Sequence, residues 1–279
     1  MSRRAHRTAT GTVVAHDQGA HLTEWRVGDL PVIWVSARAE YAEGRPIRGG
    51  VPVCWPWFGS GRSGDLSPSH GFARTAPWRL VVEESGPDRI RWVWELSSAD
   101  VIGVPGIEHF PHRFTAQVSV EVSGAASIAL TIRNEDRRPF DYEAALHSYL
   151  HVGDVRRVTI TGLAGAPYLD KVTGSRHTQQ GDLGLTGQTD RVYRCAGPVQ
   201  VHDPVLNRTL TVAKSGSPET VIWNPWDAKA ASMSDLGDRE WTQLLCVEAA
   251  AVGVSAPQLA PGEAQTLSTT ITVTPRDAA

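Results

Sequence analysis

Apolar and polar residues alternate along much of this chain with the two-residue period of a β-strand. The clearest run is residues 89–97, RIRWVWELS. There Ile90, Trp92, Trp94 and Leu96 fall on one face, and Arg89, Arg91 and Glu95 fall on the other. A sheet with one buried face requires that arrangement. Similar short runs occur at HLTEWRV, PVIWVSA, WRLVVEE, FTAQVSVEV, SIALTIRN, RTLTVAK, ETVIWN and TLSTTITVTP. The segments before residue 40 and from 78 to 134 therefore predict meanders of antiparallel strands. No amphipathic helical repeat is long enough to compete; short helical turns are expected near PGIEHFP and MSDLGD. Residues 42–77 are too rich in Gly and Pro for a regular element. Their length and their aromatic residues predict an ordered loop folded over one face of the sheet.

Composition supports strands over helices. The 26 Gly, 18 Pro and 10 Trp of this 279-residue chain include recurrent Gly/Pro punctuation between the apolar runs. No low-complexity linker or repeat of solenoid period divides it, so one domain over residues 1–279 is expected, with the first ~10 residues disordered. The 27 basic and 30 acidic residues give a formal net charge of −3. That balance leaves no electrostatic footprint for nucleic acid or an anionic membrane, although it would conceal a local arginine cluster. Cys54, Cys195 and Cys246 are too few and scattered for a disulfide framework or zinc site, and fit a reducing compartment. The basic N-terminus lacks the apolar stretch of a secretory signal. The most apolar run, LLCVEAAAVGV, is too short to span a membrane and contains Glu248. A cytoplasmic location is the resulting expectation.

Glu248 is the position at which physical chemistry alone points to function. Its flanks read as a strand buried on both faces, so the carboxylate must be paired, hydrogen-bonded or shifted in pKa. Two readings stay open: a structural ion pair with a neighbouring arginine, or a general base lining a pocket. In PFDYEAALHSYLHVGD, Phe140, Tyr142, Ala144, Leu146, Leu150 and Val152 share one strand face. Asp141, Glu143, Ala145, His147, Tyr149 and His151 share the other. The second face is too polar for a core and suits a solvated cavity wall. Periodicity does not distinguish His147 from His151 as a proton donor.

The long loop offers Arg48, His70 and Arg74 beside glycines or in tight turns, where a guanidinium suits phosphate; each also suits a surface ion pair or a loop-pinning bond. Trp55, Trp57, Phe58, Trp223 and Trp226 are candidates for stacking on a sugar ring, or are packing residues. Asp190 and Asn224 suit sugar hydroxyls or turns. His109 and His112 lack a third ligand at metal-site spacing, and no nucleotide-binding glycine motif is present, so no metal or cofactor is expected.

Taken in order, IRGGVPVCWPWFG, SHGFAR, ALHSYLHVGD, PYLDK, TDRVY, VIWNPW, LLCVEAA and LAPGE resemble the glucose-6-phosphate 1-epimerase branch of the aldose 1-epimerase family. The resemblance runs from about Trp25 to the C-terminus. It implies an all-β fold, one large antiparallel β-supersandwich of the galactose-mutarotase type. It also implies His147, rather than His151, as catalytic acid and Glu248 as base. Arg48 and Arg74 match positions associated with a substrate phosphate, and His70 and Asp190 match residues contacting the sugar. AAAV after Glu248 departs from the family pattern and bears on the pocket wall. The implied reaction interconverts the anomers of a hexose 6-phosphate, with a small sugar phosphate as partner; the sequence leaves the oligomeric state open, with a monomer the favoured expectation. The rival readings are a mutarotase for unphosphorylated aldoses and a carbohydrate-binding or sugar-sensing module without turnover.

Overall fold

A computed structural model describes residues 2–275. Two eight-stranded antiparallel sheets face each other across the main core. The back sheet runs, in spatial order, Thr159–Thr161, Val199–Asp203, Arg208–Ser215, Ala264–Pro275, Ala125–Asn134, Phe114–Val122, Ile90–Ser97 and Arg79–Ser85. Its strands bury alternate residues, as their period requires: Phe114, Ala116, Val118, Val120 and Val122 all point into the core. They meet Trp92, Trp94, Ile128, Leu130 and Ile271 from neighbouring strands in one continuous apolar cluster. Each such side chain contributes roughly 1.5–3 kcal/mol when fully buried.

The second sheet carries the site. Its order is Ser175–Thr178, Pro167–Asp170, Thr189–Tyr193, Glu219–Asn224, Leu244–Ala251, Ala144–Leu146 and Val53–Cys54, with Tyr149–His151 also pairing with Leu244–Ala251. Leu244–Ala251 is buried at every position. Leu245, Val247 and Ala249 join the core between the sheets, whereas Cys246 and Ala250 pack in two smaller clusters on the opposite face. Glu248 shares that opposite face by the same alternation.

The strand pattern read from the sequence is present throughout, with three differences. Residues 3–8, expected to be disordered, form a strand in an N-terminal meander with Gly11–His16, His21–Val27 and Leu30–Pro31. An ion pair ties it down: Arg4 Nε lies 2.7 Å from Asp17 Oδ1, which also accepts a hydrogen bond from Trp94 Nε1 at 2.8 Å. The short helical turns expected near MSDLGD flank it at Trp226–Ala231 and Glu240–Gln243, and the one expected near PGIEHFP is present at Ile107–His109. Residues 42–77 are ordered, but they do more than cover a face, because Val53–Cys54 becomes an edge strand of the second sheet. Finally, the strand expected through residues 140–152 is broken into Phe140–Asp141, Ala144–Leu146 and Tyr149–His151.

Candidate active site

The break in that strand falls at His147 and Ser148. Ala144, Ala145 and Leu146 pair with Ala251, Ala250 and Ala249, and Tyr149, Leu150 and His151 pair with Cys246, Leu245 and Leu244. The register is the same on both sides of the break, so His147 stands opposite Glu248. On its other side this chain follows the loop segment 50–56: His147 N–H donates to Pro52 O at 3.0 Å and Tyr149 N–H to Gly50 O at 2.9 Å. Gly50 must be glycine there, since its φ is +75° and a Cβ would lie 2.5 Å from Leu22 O.

His147 Nε2 lies 3.3 Å from Glu248 Oε1. His147 is 7% exposed and Glu248 0%, so the face expected to be a solvated wall is closed over. Among the described residues neither carboxyl oxygen of Glu248 has a hydrogen-bond partner, nor does His147 Nδ1. Buried polar atoms in folded proteins are nearly always satisfied, so three orphans together mark a place built for a polar ligand. Burial pushes the Glu248 carboxyl well above the usual range, and the nearby Asp190 charge adds to this while Lys171 opposes it. Burial likewise holds His147 far below the usual imidazole range, aided by His70, Arg48 and Arg74. Both members of the pair are thereby driven towards their neutral forms.

The other sequence candidates divide between the cleft and the scaffold. His70 sits with its ring 5.7 Å from that of His147, and burial lowers its pKa to about 3. Arg74 donates to Ser69 O at 2.7 Å, and its buried Nε has no partner among the described residues. Arg48 is already engaged: Nε donates to Asp235 Oδ2 and Nη1 to Tyr149 Oη, each at 3.0 Å. Asp190 pairs in register with Trp223 on the adjoining strand, one strand away from Glu248. His70, Arg48 and Arg74 lie near enough to act electrostatically on His147, as Asp190 does on Glu248. His151 stands at the far end of its strand, opposite Leu244, and lines a different groove with Trp34, Tyr41 and Glu240.

Of the aromatic candidates, Trp223 lies 6.1 Å from the His147 ring and Phe58 lies 4.8 Å from the His70 ring. Trp55 packs in the core against Phe72, Phe110 and Phe114; Trp57 donates to Pro68 O; Trp226 packs on Trp241. Asn224 is a turn residue: its amide donates to Trp241 O and Leu244 O and its carbonyl accepts Trp226 N–H. His112 bonds to Asp136 at 3.1 Å.

Sequence periodicity gave no sign of Lys171, whose Nζ lies 4.0 Å from Asp190 Oδ1 and 5.1 Å from the Phe58 ring centroid. The available signal was its place in PYLDK. His147, Cys246 and Glu248 present metal-ligating atoms within 4.8 Å of one another. The cationic charges of Arg48 and Arg74 acting on His147, and of Lys171 acting on Glu248, oppose a metal cation there. Those donors suit hydroxyl groups better.

A buried carboxyl–imidazole pair on the face of a large antiparallel β-supersandwich has the chemistry to pass protons to and from a small polar ligand. The chain belongs to the aldose 1-epimerase family, whose profile matches residues 4–272. A Salmonella typhimurium protein with the provisional name glucose-6-phosphate 1-epimerase is 37% identical over 250 residues, which cover 88% of this chain and 81% of that one. An Escherichia coli protein with the same provisional name is 36% identical over 237 residues, 84% of this chain and 77% of its own. The crystal structure of a provisionally assigned mutarotase, YeaD, from Salmonella typhimurium superposes with a TM-score of 0.89 at 32% identity. It covers 98% of this chain and 90% of that one.

Proposed function

We propose that this protein interconverts the α and β anomers of D-glucose 6-phosphate, or of a related hexose 6-phosphate, by acid–base opening and closure of the sugar ring. The observation that carries this is the cross-strand pair of Glu248 and His147, 3.3 Å apart and buried, with both carboxyl oxygens unbonded. Glu248 takes the proton from the anomeric hydroxyl while His147 gives one to the ring oxygen, and the bond between the anomeric carbon and ring oxygen breaks. Rotation about the bond between the first two carbons presents the other face of the aldehyde. The two side chains then exchange roles as the ring closes. Each such proton transfer contributes roughly 10²–10⁴-fold.

Burial favours the neutral pair, with the proton on Glu248. A neutral pair and an ion pair contain the same single proton, so moving it to His147 creates base and acid together. The positive charges of Arg48 and Arg74 oppose this transfer by disfavouring the imidazolium. A phosphate group bound beside them cancels that effect, so the phosphorylated end of the substrate promotes chemistry at the other end. Arg74, with its unpartnered Nε, is the main phosphate ligand; Arg48 supports it with the N–H groups that Asp235 and Tyr149 leave free. His70 and Asp190 bind the sugar hydroxyls and ring. The provisional names of the relatives support a phosphorylated hexose.

The engagement of Arg48 favours one second reading, a mutarotase for unphosphorylated aldoses in which Arg48 is structural. Among the described residues no helix is long and apolar enough to cross a membrane. The three cysteines are free, as suits an enzyme of the cytoplasm. The deciding measurement is anomerisation of freshly dissolved α-glucose 6-phosphate, corrected for the spontaneous rate, beside α-glucose. Acceleration of the phosphate alone is expected. Equal acceleration of both selects the second reading, and acceleration of neither removes the epimerase activity.

A further inference from the structure

Glu143, just before the strand Ala144–Leu146, is a buried carboxyl, 6% exposed, that takes no part in the proton transfers above. Its Oε2 accepts the Phe58 N–H at 3.0 Å and its Oε1 accepts the Gly253 N–H at 2.7 Å. Its own N–H donates to Pro56 O at 2.8 Å. One side chain thus clamps the loop at residues 56–58 to the turn at residue 253.

The residue after Phe58 brackets His70. Gly59 O accepts the His70 main-chain N–H at 2.6 Å, and Gly59 N–H donates to His70 Nδ1 at 3.2 Å. His70 has φ +66°, a left-handed backbone that a non-glycine residue keeps only where its surroundings hold it. A backbone N–H can only donate, so Nδ1 is the acceptor nitrogen and the ring proton sits on Nε2. Among the described residues Nε2 has no hydrogen-bond partner, and the ring stands edge to face with His147. His70 therefore offers the cleft one fixed donor.

We propose that Glu143 is a positioning residue: by clamping Phe58 it holds Gly59 where it fixes His70 as the Nε2–H tautomer, aimed as a donor at the sugar. This rests on the reading that His70 contacts the substrate. Glu143→Gln keeps the side-chain volume but offers a single carbonyl oxygen to two N–H groups, and turns a donor towards the other.

Two measurements test the proposal. Nitrogen-15 NMR of the imidazoles in the wild-type protein at neutral pH is expected to show His70 protonated at Nε2 alone; a proton on Nδ1, or a mixture, overturns the proposal without any variant having to fold. In Glu143→Gln, His70 is expected to give mixed tautomers, and kcat/KM for glucose 6-phosphate to fall by roughly 10²-fold, mainly through KM. An unchanged His70 signal in that variant also overturns it. A changed signal with unchanged kinetics overturns the role in the reaction, and that of His70 with it. The acid–base pair would still stand in that case, because variants of Glu248 and His147 test it separately.

Discussion

The ring of Tyr149 stacks on that of His147, with centroids 4.6 Å apart and planes 12° from parallel, while its hydroxyl accepts a hydrogen bond from Arg48 Nη1 at 3.0 Å. One side chain thus links the proposed acid to a proposed phosphate ligand. Tyr149→Phe keeps the stack and removes the bond. KM for glucose 6-phosphate is expected to rise about tenfold, the equivalent of one hydrogen bond to a charged group, with kcat nearly unchanged. An unchanged KM in steady-state anomerisation would detach Arg48 from the phosphate.

Glu248→Gln removes the base without changing the shape of the site. Its kcat is expected to fall roughly 10²–10⁴-fold. Glucose 6-phosphate should still bind, as calorimetry would report. Anomerisation at near the normal rate would rule out Glu248 as the base.

Arg74→Ala should reduce the preference for glucose 6-phosphate over glucose. If phosphate acts by neutralising the arginine charges beside His147, inorganic phosphate added separately should speed anomerisation of glucose by the wild-type protein, and not by Arg74→Ala. Absence of any stimulation at saturating phosphate would leave phosphate with a binding role alone.

Stability should fall as pH is lowered below neutrality. Burial holds His21 and His70 down to about 3 and His151 to about 4, and it also depresses His16 and His147. In the unfolded chain these histidines take up protons near 6.5. The unfolded state therefore binds more protons below that pH, and the stabilisation present above 6.5 is lost progressively towards 3. Glu248, Glu219 and Asp190 are shifted upwards and act in the opposite direction, so the prediction is that the five histidines dominate. A melting temperature that falls between pH 7 and pH 5 is expected; one that stays level or rises would refute this balance.

The alternation of residues 89–97 and its counterparts was enough to place nearly every long strand, because period two follows from the pleat itself. Glu248 was legible as a costly carboxyl for the same reason: its neighbours had to be buried. What alternation cannot give is a strand's neighbour. His147 and His151 fall on the same face of the strand that alternation predicts, and only the register with residues 244–251 puts one opposite Glu248 and the other opposite Leu244. Family resemblance chose His147 before the register did, by matching a motif rather than by physical argument.

By itself, then, the sequence determined an antiparallel all-β protein, the faces of its strands, an ordered loop at residues 42–77 and the short set of residues able to do chemistry. The tertiary structure decided which of those residues meet. It paired Arg48 with Asp235 across 187 positions, made Asn224 a turn residue, and brought Lys171 beside Asp190. It also set Glu143 to hold the loop that carries His70. The physical reason is range: periodicity and turn chemistry act over a few residues, whereas a buried acid–base pair depends on sheet register fixed by the packing of the whole core.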